Sequence, residues 1–64
     1  MNIEVIEKRI KQSGLKKSWV AEQIGVHPAT LRRFLNGKTE LGLEPFARLL
    51  TLLNLKLEAL MESA

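Results

Sequence analysis

Arg32 and Arg33 stand next to each other, shortly after His27, the chain's one histidine, and just before Asn36 and Lys38. A guanidinium carries its donors in a rigid fork and a lysine carries its own on a flexible stem. Such a cluster binds anionic or acceptor-rich surfaces, but its arginines and lysines do not move protons near neutral pH. Proton transfer and nucleophilic attack need other residues, and these are missing. The 64 residues include no Cys, no Asp and no Tyr. His27 has no second histidine, thiolate or aspartate with which to build a metal site or an acid–base pair. Disulfides, thiolate zinc sites and cysteine nucleophiles are excluded, and no nucleophile, base and orienting group occur together. The chain reads as a non-enzyme without metal or cofactor, whose remaining chemistry is cationic recognition.

The cations are unevenly spread. Residues 1–15 carry a balance of +1, residues 16–38 one of +4, and residues 39–64 one of −2, which together give the net +3. Lys16, Lys17, Arg32, Arg33 and Lys38 face only Glu22 in the middle stretch. A basic centre beside an acidic end is the footprint of a surface with one face toward a polyanion. Charge alone does not separate this from a solvated basic face that binds nothing. At this length a chain buries only about 60% of the surface its unfolded form exposes, so residues 1–64 are read as one small domain without a deep cleft. The apolar runs are far short of the ~20 residues that span a bilayer, and Met1-Asn2-Ile3-Glu4 does not open a signal peptide. These features predict a soluble, cytoplasmic protein without a membrane partner.

The elements that must position the cluster follow from period and punctuation. No segment alternates apolar and polar residues over strand length, so the fold class is all-α. Ile3, Ile6 and Ile10 predict a first helix over about Asn2 to Ser13, stopped at Gly14 and closed by Leu15. Val20, Ala21 and Ile24 predict a second helix of about two turns, ended by Gly25. Pro28 fits the first position of a third helix, because the N–H it lacks has no partner there. Leu31, Phe34 and Leu35 form that helix's buried face, and Asn36-Gly37 ends it. Gly42 to Pro45 opens a fourth helix with Phe46, Leu49, Leu50 and Leu53 inward and Asn54 as its C-cap. A fifth is expected from about Lys56 to Glu62, with Leu57, Leu60 and Met61 as its apolar positions.

The stretch from Lys17 to Asn36 has an internal logic of its own. Two short helices cross closely only where the contact residue is small, which Ala21 is, and a tight turn between them needs a positive φ, which Gly25 adopts freely. This is a helix-turn-helix. The order Val20-Ala21, Ile24-Gly25-Val26, Pro28, Thr30-Leu31 and Arg33 through Lys38 is followed by Leu43, Pro45-Phe46, Leu49-Leu50 and Leu53-Asn54-Leu55. It closely resembles the XRE family, the lambda-repressor and Cro type of DNA-binding domain, over about residues 5–61. The resemblance implies a five-helix lambda-repressor-like domain whose third helix enters the major groove and which binds operators as a dimer. Three positions depart from the family pattern. Lys16 stands where a Ser, Thr or Asn cap is usual, and Lys17 and Pro28 stand where Gln is common, so a Gln-based reading of adenine is absent.

On a helical wheel centred on Leu31, Ala29, Arg33 and Asn36 face outward with Arg32 on one flank. Arg33 is the first candidate for base readout, through paired bonds to guanine O6 and N7. Ala29 is placed to meet a thymine methyl, and Arg32, His27 and Pro28 complete the candidate readout set. His27 falls at the N-cap of the third helix, a site that favours Ser, Thr, Asn or Asp, so its ring is expected to bond a phosphate or base edge instead of capping well. Lys17 and Ser18, at the start of the second helix, are expected to hold phosphates, with Lys16, Thr30, Asn36 and Lys38 as weaker candidates. Trp19 is expected to lie partly buried against a neighbouring helix.

The chain holds twelve leucines. Leu41, Leu43, Leu52, Leu57 and Met61 fall at or beyond the edges of the inward stripes, and surplus apolar surface on a small domain marks a partner site. The alternative is that a small core recruits them all. The expected function is a sequence-specific regulator on double-stranded operator DNA, a Cro-like phage or prophage repressor acting as a homodimer, with no small-molecule ligand. The rival is an antitoxin-type interaction protein whose helix-turn-helix serves autoregulation.

Overall fold

The computed structural model describes residues 2–61. Asn2 opens the first helix, α1 (Ile3–Ser13), by accepting the Glu4 N–H on its side-chain oxygen at 3.1 Å. The helix stops at Gly14, whose φ of 68° lets the chain turn left-handed, and the Leu15 N–H closes back on the Ile10 carbonyl. Next come α2 (Lys17–Ile24) and α3 (Pro28–Leu35), the two short helices of the basic stretch. The fourth, α4 (Leu43–Leu53), ends at Asn54, which adopts φ 54° as an asparagine C-cap. A last helical segment, α5 (Leu57–Met61), follows.

Every element contributes to one core. Ile6 and Ile10 from α1, Val20, Ala21 and Ile24 from α2, and Leu31, Phe34 and Leu35 from α3 are buried, together with Leu49 and Leu53 of α4 and Leu60 of α5. Burying a Leu or Ile side chain is worth about 1.5–3 kcal/mol, so these stripes hold together helices too short to persist alone. α1 packs against α3, α4 and α5, while α2 packs against α3 and α4. Phe34 and Phe46 form a T-shaped, edge-to-face pair with ring centroids 6.3 Å apart, tying α3 to α4.

One expectation needs correcting. The described residues form four helices of eight residues or more, and the fifth element is a five-residue segment, little more than one turn. The expectation of five full helices is therefore not matched; Glu62, its expected end, lies outside the described residues. Leu57 and Met61, placed by the sequence at or beyond the edges of the inward stripes, are 54% and 69% exposed, and Leu60 is the buried anchor. The physical reason is that a single turn can aim one side chain at the core, not three.

Trp19 is 43% exposed, so it is partly covered. Val20, Ala21 and Ile24 already fill the face that α2 turns to the core, and Trp19 lies roughly 150° around the helix from its centre. No helix among the described residues is long and apolar enough to cross a membrane.

Candidate nucleic-acid interface

The basic stretch is held in shape by its turn. Gly25 adopts φ 81°, and the Val26 and Gly25 N–H groups both bond the Ala21 carbonyl at 3.0 Å. A side chain at Gly25 is disfavoured by that φ, and its Cβ would lie 3.3 Å from Nη1 of Arg48 on α4. Ala21 is fully buried at the centre of the helix pair. The small residue and the left-handed residue thus do the two jobs that the sequence assigns them.

α3 begins at Pro28, and its inner face is the buried trio Leu31, Phe34 and Leu35. Arg32, Arg33 and Asn36 are exposed on the other side, and Ala29 and Thr30 are half-buried. Ala29 and Arg33 are four residues apart and share one stripe, with Asn36 continuing it. Neither arginine forms an ion pair among the described residues. Both lie in the last turn of α3, where positive charge also complements the helix dipole.

His27 differs from expectation. Its Nδ1 accepts the Ala29 N–H at 3.1 Å, so the ring caps α3 in the manner of a Ser or Asp. Ala29 is the second residue of α3, whose N–H is an ordinary partner of an N-cap side chain.

The start of α2 is the opposite case. Lys16 occupies the N-cap with no side-chain bond to the helix, and the first turn carries no acid. Lys16, Lys17 and Ser18 are exposed there, as is Lys38 beyond α3. Lys17 is not free, however: its Nζ bonds Oε1 of Glu7 on α1 at 3.1 Å. Lys16, Arg32, Arg33 and Lys38 are the exposed cations of this stretch without an ion pair among the described residues.

A helix-turn-helix family model matches residues 6–60. The chain belongs to the XRE-type helix-turn-helix family. Neither a curated protein nor a solved structure matches it. The family is one of DNA-binding regulators and is not typically enzymatic.

In this helix-turn-helix protein the five surplus apolar residues do not share one patch. Leu41 and Leu43 line a groove with Phe34, Glu40 and Phe46, whereas Leu52 lines another with Gln23, Ala47, Arg48 and Thr51. Leu43 and Leu52 are nine positions apart on α4, which places them about half a turn from each other around the helix axis. Leu43 is 85% exposed, while Leu41 and Leu52 are half-buried against the core. A single flat partner cannot cover both flanks.

Sequence reasoning missed the polar contacts that Arg9, Glu7 and Arg48 make between helices. Arg9 donates from Nη1 to the Leu53 carbonyl at 3.0 Å and so satisfies the end of α4. Glu7 holds Lys17, and Arg48, paired with Glu44, lies over the glycine of the turn. Arg9 and Glu7 sit on the polar side of α1, and no local pattern distinguishes them from ordinary solvated charges.

Proposed function

We propose that the protein is a sequence-specific regulator on double-stranded DNA, a Cro-like phage or prophage repressor that acts as a homodimer in the cytoplasm. In this reading the chain is one lambda-repressor-like domain, with α5 as its short fifth helix. The observation that carries it is the pairing of Arg32 and Arg33, exposed and without ion pairs among the described residues, with a core-packed opposite face of α3. A helix so arranged offers its cations to a groove without disturbing its own packing.

Arg33 takes the guanine-reading role, Ala29 meets a thymine methyl, and Arg32, His27 and Pro28 flank them at the base edges. Lys16, Lys17, Ser18, Thr30, Asn36 and Lys38 hold phosphates and fix register. Repression then works by occupancy: a dimer covering a promoter excludes polymerase. Leu43, Leu57 and Met61, the most exposed of the surplus apolar residues, form the homodimer face, with Leu41 at its margin. Leu52, on the far flank of α4, is left to core packing.

The test is a salt titration of binding to duplex DNA. Neutralising about five phosphates per subunit predicts a log–log slope of about −0.9 per contact. Binding that stays flat from low to moderate salt contradicts the proposal. A second reading, an antitoxin-type module, draws on the 85% exposure of Leu43 beside the Phe34–Phe46 groove. It predicts co-purification with a different protein seated there and weak binding to DNA by the isolated chain.

A further inference from the structure

The two helix starts of the basic stretch are chemically unlike each other. At α2 no side chain caps the helix. At α3 the first available donor, the Ala29 N–H, is already satisfied by Nδ1 of His27 at 3.1 Å, and Pro28 has no N–H to offer. An anion approaching α3 therefore meets fewer free backbone donors than one approaching α2.

The cap also decides where the histidine's proton sits. A neutral imidazole has one N–H and one acceptor nitrogen, and the nitrogen that accepts from Ala29 cannot carry the proton. In the neutral ring this puts the proton on Nε2, across the ring from the helix. His27 is exposed, so this N–H is turned toward solvent at the head of the helix that carries Arg33. Its direction is held by the cap rather than left to a free rotor.

Resting on the DNA-binding reading above, we infer that His27 is a specificity-determining residue that acts only as a hydrogen-bond donor, from Nε2, to a base-edge acceptor in the major groove. The class of atoms it takes is guanine O6 or N7, adenine N7 and thymine O4. Cytosine presents only its N4 amino donor in that groove, so a cytosine facing His27 meets donor against donor. The recognition helix is thus capped and given a fixed-polarity reading group by one side chain.

Two measurements test this with separate readouts. In the free protein, two-bond nitrogen–proton NMR correlations of His27 at mildly alkaline pH are expected to show the Nε2–H tautomer. A predominant Nδ1–H form overturns the inference whatever the DNA result. On DNA, selection from a random duplex pool is compared between the wild-type chain and His27→Ser, which keeps a capping oxygen but lacks the reach. The wild type is expected to exclude cytosine at one position per half-site. His27→Ser is expected to accept all four bases there, with about tenfold weaker binding to the wild-type site.

Unchanged base preference in His27→Ser overturns the inference while leaving the DNA-binding reading in place. An equal loss on every sequence also overturns it and assigns His27 to a phosphate. Failure of the wild type to select or bind any duplex rejects the parent reading and this inference with it. An unchanged far-ultraviolet spectrum and melting curve of His27→Ser shows that the comparison is made between folded proteins.

Discussion

Lys17 Nζ lies 3.1 Å from Oε1 of Glu7, so the ammonium at the head of α2 is already engaged by a carboxylate from α1. A phosphate reaching α2 must share that lysine with an anion of the protein itself. Partly exposed pairs of this kind contribute about 0.2–1 kcal/mol. Glu7→Gln is therefore expected to leave the fold intact and to tighten binding to all duplexes alike by roughly two- to fivefold, measured by fluorescence anisotropy at low salt. Weaker binding would mean that Glu7 positions Lys17 instead of competing for it.

The turn makes a second prediction. Gly25 combines a φ of 81° with an Arg48 Nη1 that lies 3.3 Å from the place of a Cβ. Gly25→Ala is expected to lose about 1–2 kcal/mol in urea unfolding, mostly from the left-handed backbone. Because Arg48 ends in a flexible side chain, adding Arg48→Ala to Gly25→Ala should recover little. Full recovery by that second change would show that crowding, not φ, sets the loss.

Much of this architecture is legible in the sequence because it rests on local backbone rules. Gly14, Gly25, Pro28 and Asn54 each mark a helix boundary found in the structure, since each has a conformational property that few other residues share. Contacts between distant segments are not legible in that way. Arg9 reaches Leu53 across 44 positions, and Glu7 reaches Lys17 across ten. Their side chains carry no sign of these partners. The cap made by His27 is not legible either, because capping scales rank residue types, whereas here Nδ1 takes the place of a Ser or Asp oxygen and accepts the Ala29 N–H.

Arg9 gives a prediction about stability alone. Arg9→Met keeps the apolar stem but removes the donor that satisfies the α4 carboxyl end at Leu53. The change is expected to lower unfolding free energy by about 1–2 kcal/mol, the order of a hydrogen bond from a charged group. DNA affinity of the folded protein should be unchanged. A thermal melt superimposable on that of the wild type would show that water replaces the bond at no cost.

Leu43 separates assembly from folding. At 85% exposure it adds little to the core, so Leu43→Lys should change stability by no more than about 0.5 kcal/mol. Sedimentation equilibrium should show the mutant shifted toward monomer at concentrations where the wild type is dimeric. A wild-type chain that stays monomeric at tens of micromolar, with and without DNA, rejects the homodimer.

The most direct test of the account is a comparison of bound-sequence profiles for the wild type, Arg33→Ala and Lys16→Ala. With Arg33 on the exposed stripe of α3 and Lys16 at the uncapped start of α2, the two losses should differ in kind. Arg33→Ala is predicted to relax preference at one base pair, worth about 1–3 kcal/mol of discrimination, and Lys16→Ala to weaken every sequence equally. Uniform weakening by Arg33→Ala, or an unaltered profile, would contradict the assignment of α3 as the helix that reads sequence.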